Sequence, residues 1–120
     1  MNANILVIDD EESIRFSFHR FLAAEGYKVI TAKGYGEALA RMDETEFDLI
    51  LADIILDDGW GIDILHEVVR RNLKTRVIVM TAYPTSATVE ASFGMHAIDY
   101  LTKPLRQEGL LYSVNKALQR

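Results

Sequence analysis

Five short runs of strand-forming residues, each followed by a longer stretch of helical periodicity, constrain this chain more than any other feature. The runs are Ile5-Leu6-Val7-Ile8, Lys28-Val29-Ile30-Thr31, Leu49-Ile50-Leu51-Ala52, Val77-Ile78-Val79-Met80 and Ile98-Asp99-Tyr100-Leu101. Three of them are almost continuously aliphatic and do not alternate with polar residues. A strand of that kind is buried on both faces, which is the condition of a parallel sheet covered by helices. The segments between the runs are long enough to be crossover helices. The first carries Ile14, Phe18, Phe21 and Leu22 on one side, against Arg15, His19 and Arg20 on the other, with Gly26 at the C-cap position. A second places Ala38, Leu39 and Met42 inward, a third Leu65, Val68 and Val69, and the last Leu110, Leu111, Val114, Ala117 and Leu118. Repetition of the βα unit makes the class α/β, and right-handed crossovers put helices on both faces of the sheet.

The fourth helical segment, near Ser86–Met95, is different. It is rich in Thr, Ser, Val and Gly, all weak helix formers. Two readings stay open: a helix held by packing alone, or an element close to a conformational balance. No linker, low-complexity tract or further repeat interrupts the pattern, so residues 1–120 are expected to form a single domain. Composition narrows the class. No apolar run approaches the roughly 18 residues of a membrane span, and Met1-Asn2-Ala3-Asn4 has no signal-peptide character. With no cysteine, disulfides, thiol catalysis and cysteine metal sites are excluded, which fits a cytoplasmic location. A net charge of −5 argues against direct nucleic-acid binding.

In an open parallel sheet, ligands bind beyond the carboxyl ends of the strands. The first run is followed by Asp9, Asp10, Glu11 and Glu12, the third by Asp53, the fourth by Thr81, and the fifth by Thr102, Lys103 and Pro104. Each has an ordinary reading: acids at a helix start, a loop cap, a β-branched strand residue, a surface lysine. Together they supply complementary chemistry. Crowded carboxylates repel one another and suit a hard divalent cation, and Mg²⁺ binds through one or two carboxylates, waters and phosphate oxygens. A carboxylate beside such a cation can attack a phosphoryl group and form an acyl phosphate. An ammonium and a hydroxyl would then serve the equatorial oxygens of the transferring group.

These residues resemble the receiver domain of two-component response regulators over essentially the whole chain. The matching pieces are Val7-Ile8-Asp9-Asp10-Glu11, Asp48-Leu49-Ile50-Leu51-Ala52-Asp53, Val79-Met80-Thr81-Ala82 and Asp99-Tyr100-Leu101-Thr102-Lys103-Pro104-Leu105. The last piece is most similar to receivers of transcription-activator type regulators. The resemblance implies a flavodoxin-like (βα)5 doubly wound parallel sheet with strand order 2-1-3-4-5. It implies Asp53 as phosphoacceptor, with Asp9, Asp10, Asp53 and the backbone carbonyl of Ile55 holding Mg²⁺. Lys103 would pair with the phosphoryl group, Lys103–Pro104 would be a cis peptide, and Thr81 and Tyr100 would form the switch. Ile55 and Tyr83 would flank the phosphoryl group, hinder water and slow self-dephosphorylation. The implied partners are a sensor histidine kinase or phosphotransfer protein, and an output domain or a homodimer formed through the fourth helix, fifth strand and fifth helix. No membrane partner is implied. The implied activity is that of a phosphoacceptor regulator, not an enzyme.

The chain departs from the family pattern twice. Asp57 stands where the family commonly has proline, predicting a less rigid and more acidic loop. His96-Ala97 stands where Gly-Ala is frequent, with Gly94 two residues earlier. Three rival readings share this fold or chemistry. Flavodoxin-type cofactor binding needs a Ser/Thr/Gly loop after the first strand, where this chain has acids. An aspartyl phosphatase needs an acid two beyond a nucleophile after the first strand, and Glu11 is a poor match. An inert adaptor would not need the intact site. Trp60 and Tyr112 are candidate surface aromatics, and His19, His66 and His96 show no metal-ligand spacing.

Overall fold

The computed structural model describes residues 2–119. The sheet strands are β1 (Asn4–Ile8), β2 (Lys28–Ala32), β3 (Leu49–Asp53), β4 (Arg76–Thr81) and β5 (Asp99–Thr102). They alternate with helices α1 (Glu12–Ala24), α2 (Tyr35–Glu44), α3 (Gly61–Arg70), α4 (Ser86–Gly94) and α5 (Gln107–Ala117). All four neighbouring pairs run parallel, in the spatial order β2-β1-β3-β4-β5. The flavodoxin-like, doubly wound order expected from the sequence is therefore the one found. Between β3 and α3 a two-residue antiparallel ladder joins Ile55–Leu56 to Gly59–Trp60.

The pleat divides the aliphatic runs between two cores. Leu6, Ile8, Ile50, Ala52, Val77 and Val79 face one side and pack with Ala38 and Met42 of α2 and Ile64, Leu65 and Val68 of α3. Ile5, Val7, Leu49, Leu51, Ile78 and Met80 face the other, against Phe18 and Leu22 of α1 and Leu110 and Val114 of α5. Full burial of each such side chain is worth about 1.5–3 kcal/mol, so the central strands β1 and β3 hold the fold together. Helix α1 ends where Gly26 takes φ +92, a left-handed conformation that glycine adopts without cost.

The packing corrects one expectation, and a cap bears on one of the two readings left open for the fourth helix. Val69 does not face inward with Leu65 and Val68; it is 50% exposed. The buried stripe of α3 is Gly61, Ile64, Leu65 and Val68, which leaves Val69 at its edge. Helix α4 is held by more than packing. Thr85 accepts from the Thr88 N–H at 3.1 Å, and its own N–H donates to the Thr88 hydroxyl at 3.4 Å, a reciprocal capping box. Ser92 is the one residue of α4 that is fully buried. The chain leaves α4 through His96, whose φ of 72 places a non-glycine residue in the left-handed region. Among the described residues no helix is long and apolar enough to cross a membrane.

Candidate functional site

Parallel strands deliver their following residues to one edge of the sheet. Asp9 and Asp10 lie just past β1, Asp53 is the last residue of β3, Thr81 the last of β4, and Lys103 the first after β5. Lys103 ties this edge together. Its ammonium lies 2.6 Å from Asp9 Oδ2 and donates to Asp53 Oδ2 at 2.9 Å. Asp9 is completely buried and Asp53 nearly so. Asp9 Oδ1 accepts the Glu11 N–H at 2.9 Å, and Asp53 Oδ1 accepts the Ile55 N–H at 3.3 Å.

Carboxylate oxygens of Asp9, Asp10 and Asp53 lie within 4.8 Å of one another. Three carboxylates beside one ammonium leave an excess of negative charge that a divalent cation would offset. The donors are all oxygen, which suits Mg²⁺. The residues present therefore fit that ion. Burial raises the Asp53 carboxyl above its ordinary range, the Lys103 contact and charge partly oppose this, and the Asp9 charge adds to it. Burial pulls the Lys103 ammonium down, but its hydrogen bonds and charge attraction to Asp9 and Asp53 outweigh that and leave it above its ordinary value.

The remaining residues singled out from the sequence are arranged differently. Thr81 is buried, and its hydroxyl accepts the Tyr83 N–H at 3.0 Å, so it is engaged within its own loop. Its carbonyl accepts the Lys103 N–H at 2.8 Å, which links β4 to the start of the Lys103 loop. Tyr100 is half-buried, and its hydroxyl lies 2.7 Å from the Thr88 hydroxyl of α4. The Lys103–Pro104 peptide is cis. Ile55 is 47% exposed and Tyr83 is 73% exposed, so the Tyr83 ring lies in solvent in this state. Trp60 and Tyr112 are also exposed.

Three contacts were not anticipated. Asp57 faces Asp10, and its carboxyl is raised by a hydrogen bond to Asp10 and then by the Asp10 charge. Asp58 reaches the start of α2, where it accepts from Tyr35 N–H at 2.7 Å and Gly36 N–H at 3.0 Å. The loop that lacks the family's proline is thus tied to α2 by these two bonds. Gly61 is required by close approach: a Cβ there would lie 2.1 Å from the Asp53 carbonyl oxygen. The acids at 57 and 58 were visible as a charge feature, but their partners were not.

A family model, the response regulator receiver domain, matches residues 5–115. The chain is 36% identical over 117 residues to the transcriptional regulatory protein ZraR of Escherichia coli (strain K12), covering 98% of this chain and 26% of that protein. It thus spans about a quarter of that relative's length. Among solved structures, a CheY-like response regulator receiver domain protein from Methanospirillum hungatei JF-1 superposes with a TM-score of 0.94 at 30% identity, covering 99% of this chain and 95% of that one. The beryllofluoride-activated NtrC4 receiver domain dimer gives a TM-score of 0.90 at 32% identity, covering 97% of this chain and 96% of that one.

Proposed function

The chain belongs to the response regulator receiver domain family, and on that premise we propose that it is a phosphoacceptor switch acting through Asp53. The observation that carries this reading is the Lys103 ammonium set between the buried carboxylates of Asp9 and Asp53, with Asp10 beside them. Asp9, Asp10, Asp53 and the Ile55 carbonyl would hold Mg²⁺, which when bound would offset the carboxylate charge that repels an incoming phosphoryl group. A carboxylate oxygen of Asp53 attacks phosphorus, the bond from phosphorus to the donor's leaving atom breaks, and an acyl phosphate forms. Asp53 loses no proton in this step, since it attacks as the carboxylate. Lys103 already contacts Asp53 Oδ2 and is placed to take a phosphoryl oxygen.

The switch would run through hydroxyls that now have other partners. Phosphorylation brings strong acceptor oxygens and about −1.5 to −2 charge, by analogy with other phosphoresidues. The Thr81 hydroxyl, now accepting from Tyr83, would turn to donate to them. Tyr100 would leave Thr88 and turn inward, changing the surface made by α4, β5 and α5. That surface would engage an output domain or a second copy, while a sensor histidine kinase or phosphotransfer protein supplies the phosphoryl group in the cytoplasm. The relatives named as transcriptional regulators support an output in transcription, executed outside this domain. Ile55 and Tyr83 would set a slow self-dephosphorylation, Tyr83 closing over the site only after Thr81 releases its loop.

Incubation with labelled acetyl phosphate and Mg²⁺ tests the reading. The unaltered chain takes label and Asp53→Asn takes none; normal labelling of Asp53→Asn would falsify the assignment.

A further inference from the structure

The turn that follows Asp53 is fastened at both ends. At its base the Ile54 N–H donates to the Met80 carbonyl at 2.9 Å, and the Gly61 N–H donates to the Ile54 carbonyl at 2.7 Å. Above that base, Ile55 pairs with Trp60 and Leu56 with Gly59, which leaves Asp57 and Asp58 as the tip. The two carboxylates of the tip are placed differently. Asp57 is exposed, and its carboxyl is raised by Asp10, whereas Asp58 spans to the next helix, with Oδ1 on Tyr35 N–H and Oδ2 on Gly36 N–H.

Helix α2 is built to receive this side chain. Its own N-cap residue, Gly34, provides no side-chain acceptor, so the first-turn N–H groups need one from elsewhere. A Cβ on Gly34 would lie 2.5 Å from Asp58 Oδ1, so the absence of a side chain there is what makes room. On the opposite side of the turn, a Cβ on Gly59 would come within 3.2 Å of the Tyr35 Cβ. The two backbone donors hold the Asp58 carboxyl below its usual range, and an acid at a helix N-terminus is further favoured by the helix dipole.

We infer that Asp58 is a positioning residue for the metal seat: by clamping the turn to the N-terminus of α2, it fixes where the Ile55 carbonyl and Asp57 stand relative to Asp9, Asp10 and Asp53. The inference rests on the proposed reading of those residues as Mg²⁺ ligands. Where the family commonly has a proline to stiffen this turn, the chain uses a long-range hydrogen-bonded clamp.

Mg²⁺ titration calorimetry on the full chain, far below the melting temperature of each variant, tests the clamp. Asp58→Ala should weaken Mg²⁺ binding by about tenfold, the low end of what loss of an outer partner costs a metal site. Gly34→Ala should do the same while keeping every carboxylate, because its methyl displaces the Asp58 oxygen; its backbone φ of −163 is extended and suits alanine. Asp58→Asn, which keeps one acceptor oxygen, should fall between these and the unaltered chain. Wild-type affinity in both Gly34→Ala and Asp58→Ala overturns the clamp. Loss in Asp58→Ala alone also overturns it, since that is the effect of charge without position. If the unaltered chain binds no Mg²⁺, or binds it equally after Asp9→Asn with Asp10→Asn, the seat itself is wrong and the clamp falls with it.

Discussion

Replacing Lys103 by methionine keeps most of the length of the side chain and removes the ammonium set between two buried carboxylates. Lys103 Nζ lies 2.6 Å from Asp9 and 2.9 Å from Asp53; at an effective dielectric constant of roughly 20 each contact attracts by about 6 kcal/mol before desolvation is counted. Taking the ammonium out of water cancels much of this. Without it, the carboxylates of the seat, within 4.8 Å of one another, repel by about 3 kcal/mol on the same scale. Breaking a buried pair in this way costs about 3–5 kcal/mol. For a chain of 120 residues that is a fall in Tm of roughly 10–20 °C. Urea and thermal unfolding in chelator measure it. Adding Asp53→Asn to Lys103→Met should restore part of the loss, with a coupling of about 1–3 kcal/mol. Mg²⁺ should stabilise Lys103→Met, by about 2.7 kcal/mol at a hundredfold excess over its Kd. The alkaline limb gives a second check. The folded-state pKa of Lys103 is raised, so its contribution is complete below the unfolded value of about 10.4 and is lost as pH rises through the folded one. The gap between the two proteins should therefore hold to about pH 10 and close above it. A loss below about 1 kcal/mol, or strict additivity with Asp53→Asn, would refute the electrostatic account.

Other consequences follow from the same edge of the sheet. Asp53→Asn should melt higher than the unaltered chain at neutral pH without Mg²⁺, because burial raises the carboxyl and the fold disfavours its ionised form. That advantage shrinks as pH falls toward the unfolded carboxyl value of about 3.9, where both proteins carry a neutral group; equal melting at pH 7 contradicts the argument. Gly61→Ala drives a methyl into the Asp53 carbonyl and should cost about 1–3 kcal/mol by calorimetric unfolding, with slower labelling from acetyl phosphate. An unchanged Tm would mean the α3 start moves freely, contrary to its 2.7 Å bond to Ile54. Tyr83→Ala should shorten the lifetime of the phosphorylated chain, followed as loss of label with time; an unaltered decay places Tyr83 outside the water path in the phosphorylated state too.

The legible part of the molecule is the part that burial writes directly into composition. Strands β1 and β3 are covered on both faces, so Ile5–Ile8 and Leu49–Ala52 read as unbroken aliphatic runs. Once the strands are placed, parallel topology carries Asp9, Asp53, Thr81 and Lys103 to one edge without further information. The clamp from Asp58 to α2 could not be read the same way. It joins residues 22 and 23 positions apart, a separation that no local pattern encodes. The exposure of Val69 depends on which apolar stripe of α3 faces the sheet, and the buried one runs through Gly61, Ile64, Leu65 and Val68. His96 holds a left-handed conformation where glycine would be expected, so the end of α4 carried no sequence mark. The rotation of the Thr81 hydroxyl toward Tyr83 is a choice between partners, and composition does not specify it.

Helix α4 is where this matters for function. Helices α1 and α5 are fixed by buried Phe18, Leu22, Leu110 and Val114, each worth about 1.5–3 kcal/mol. Helix α4 buries Ser92 alone, and among the described residues the Ser92 hydroxyl has no hydrogen-bond partner. Its stability comes instead from its N-cap and from the Thr88–Tyr100 contact, each worth about 1 kcal/mol. A hydrogen bond to a charged acceptor is worth about 1.5–3 kcal/mol, enough to exceed the neutral Thr81–Tyr83 and Thr88–Tyr100 bonds that the proposed switch must break. On the proposed reading, the weak helix formers of Ser86–Gly94 would keep this element within reach of a single phosphoryl group. A well-packed α4, with a buried leucine on each turn, would hold the surface in place whatever happened at Asp53.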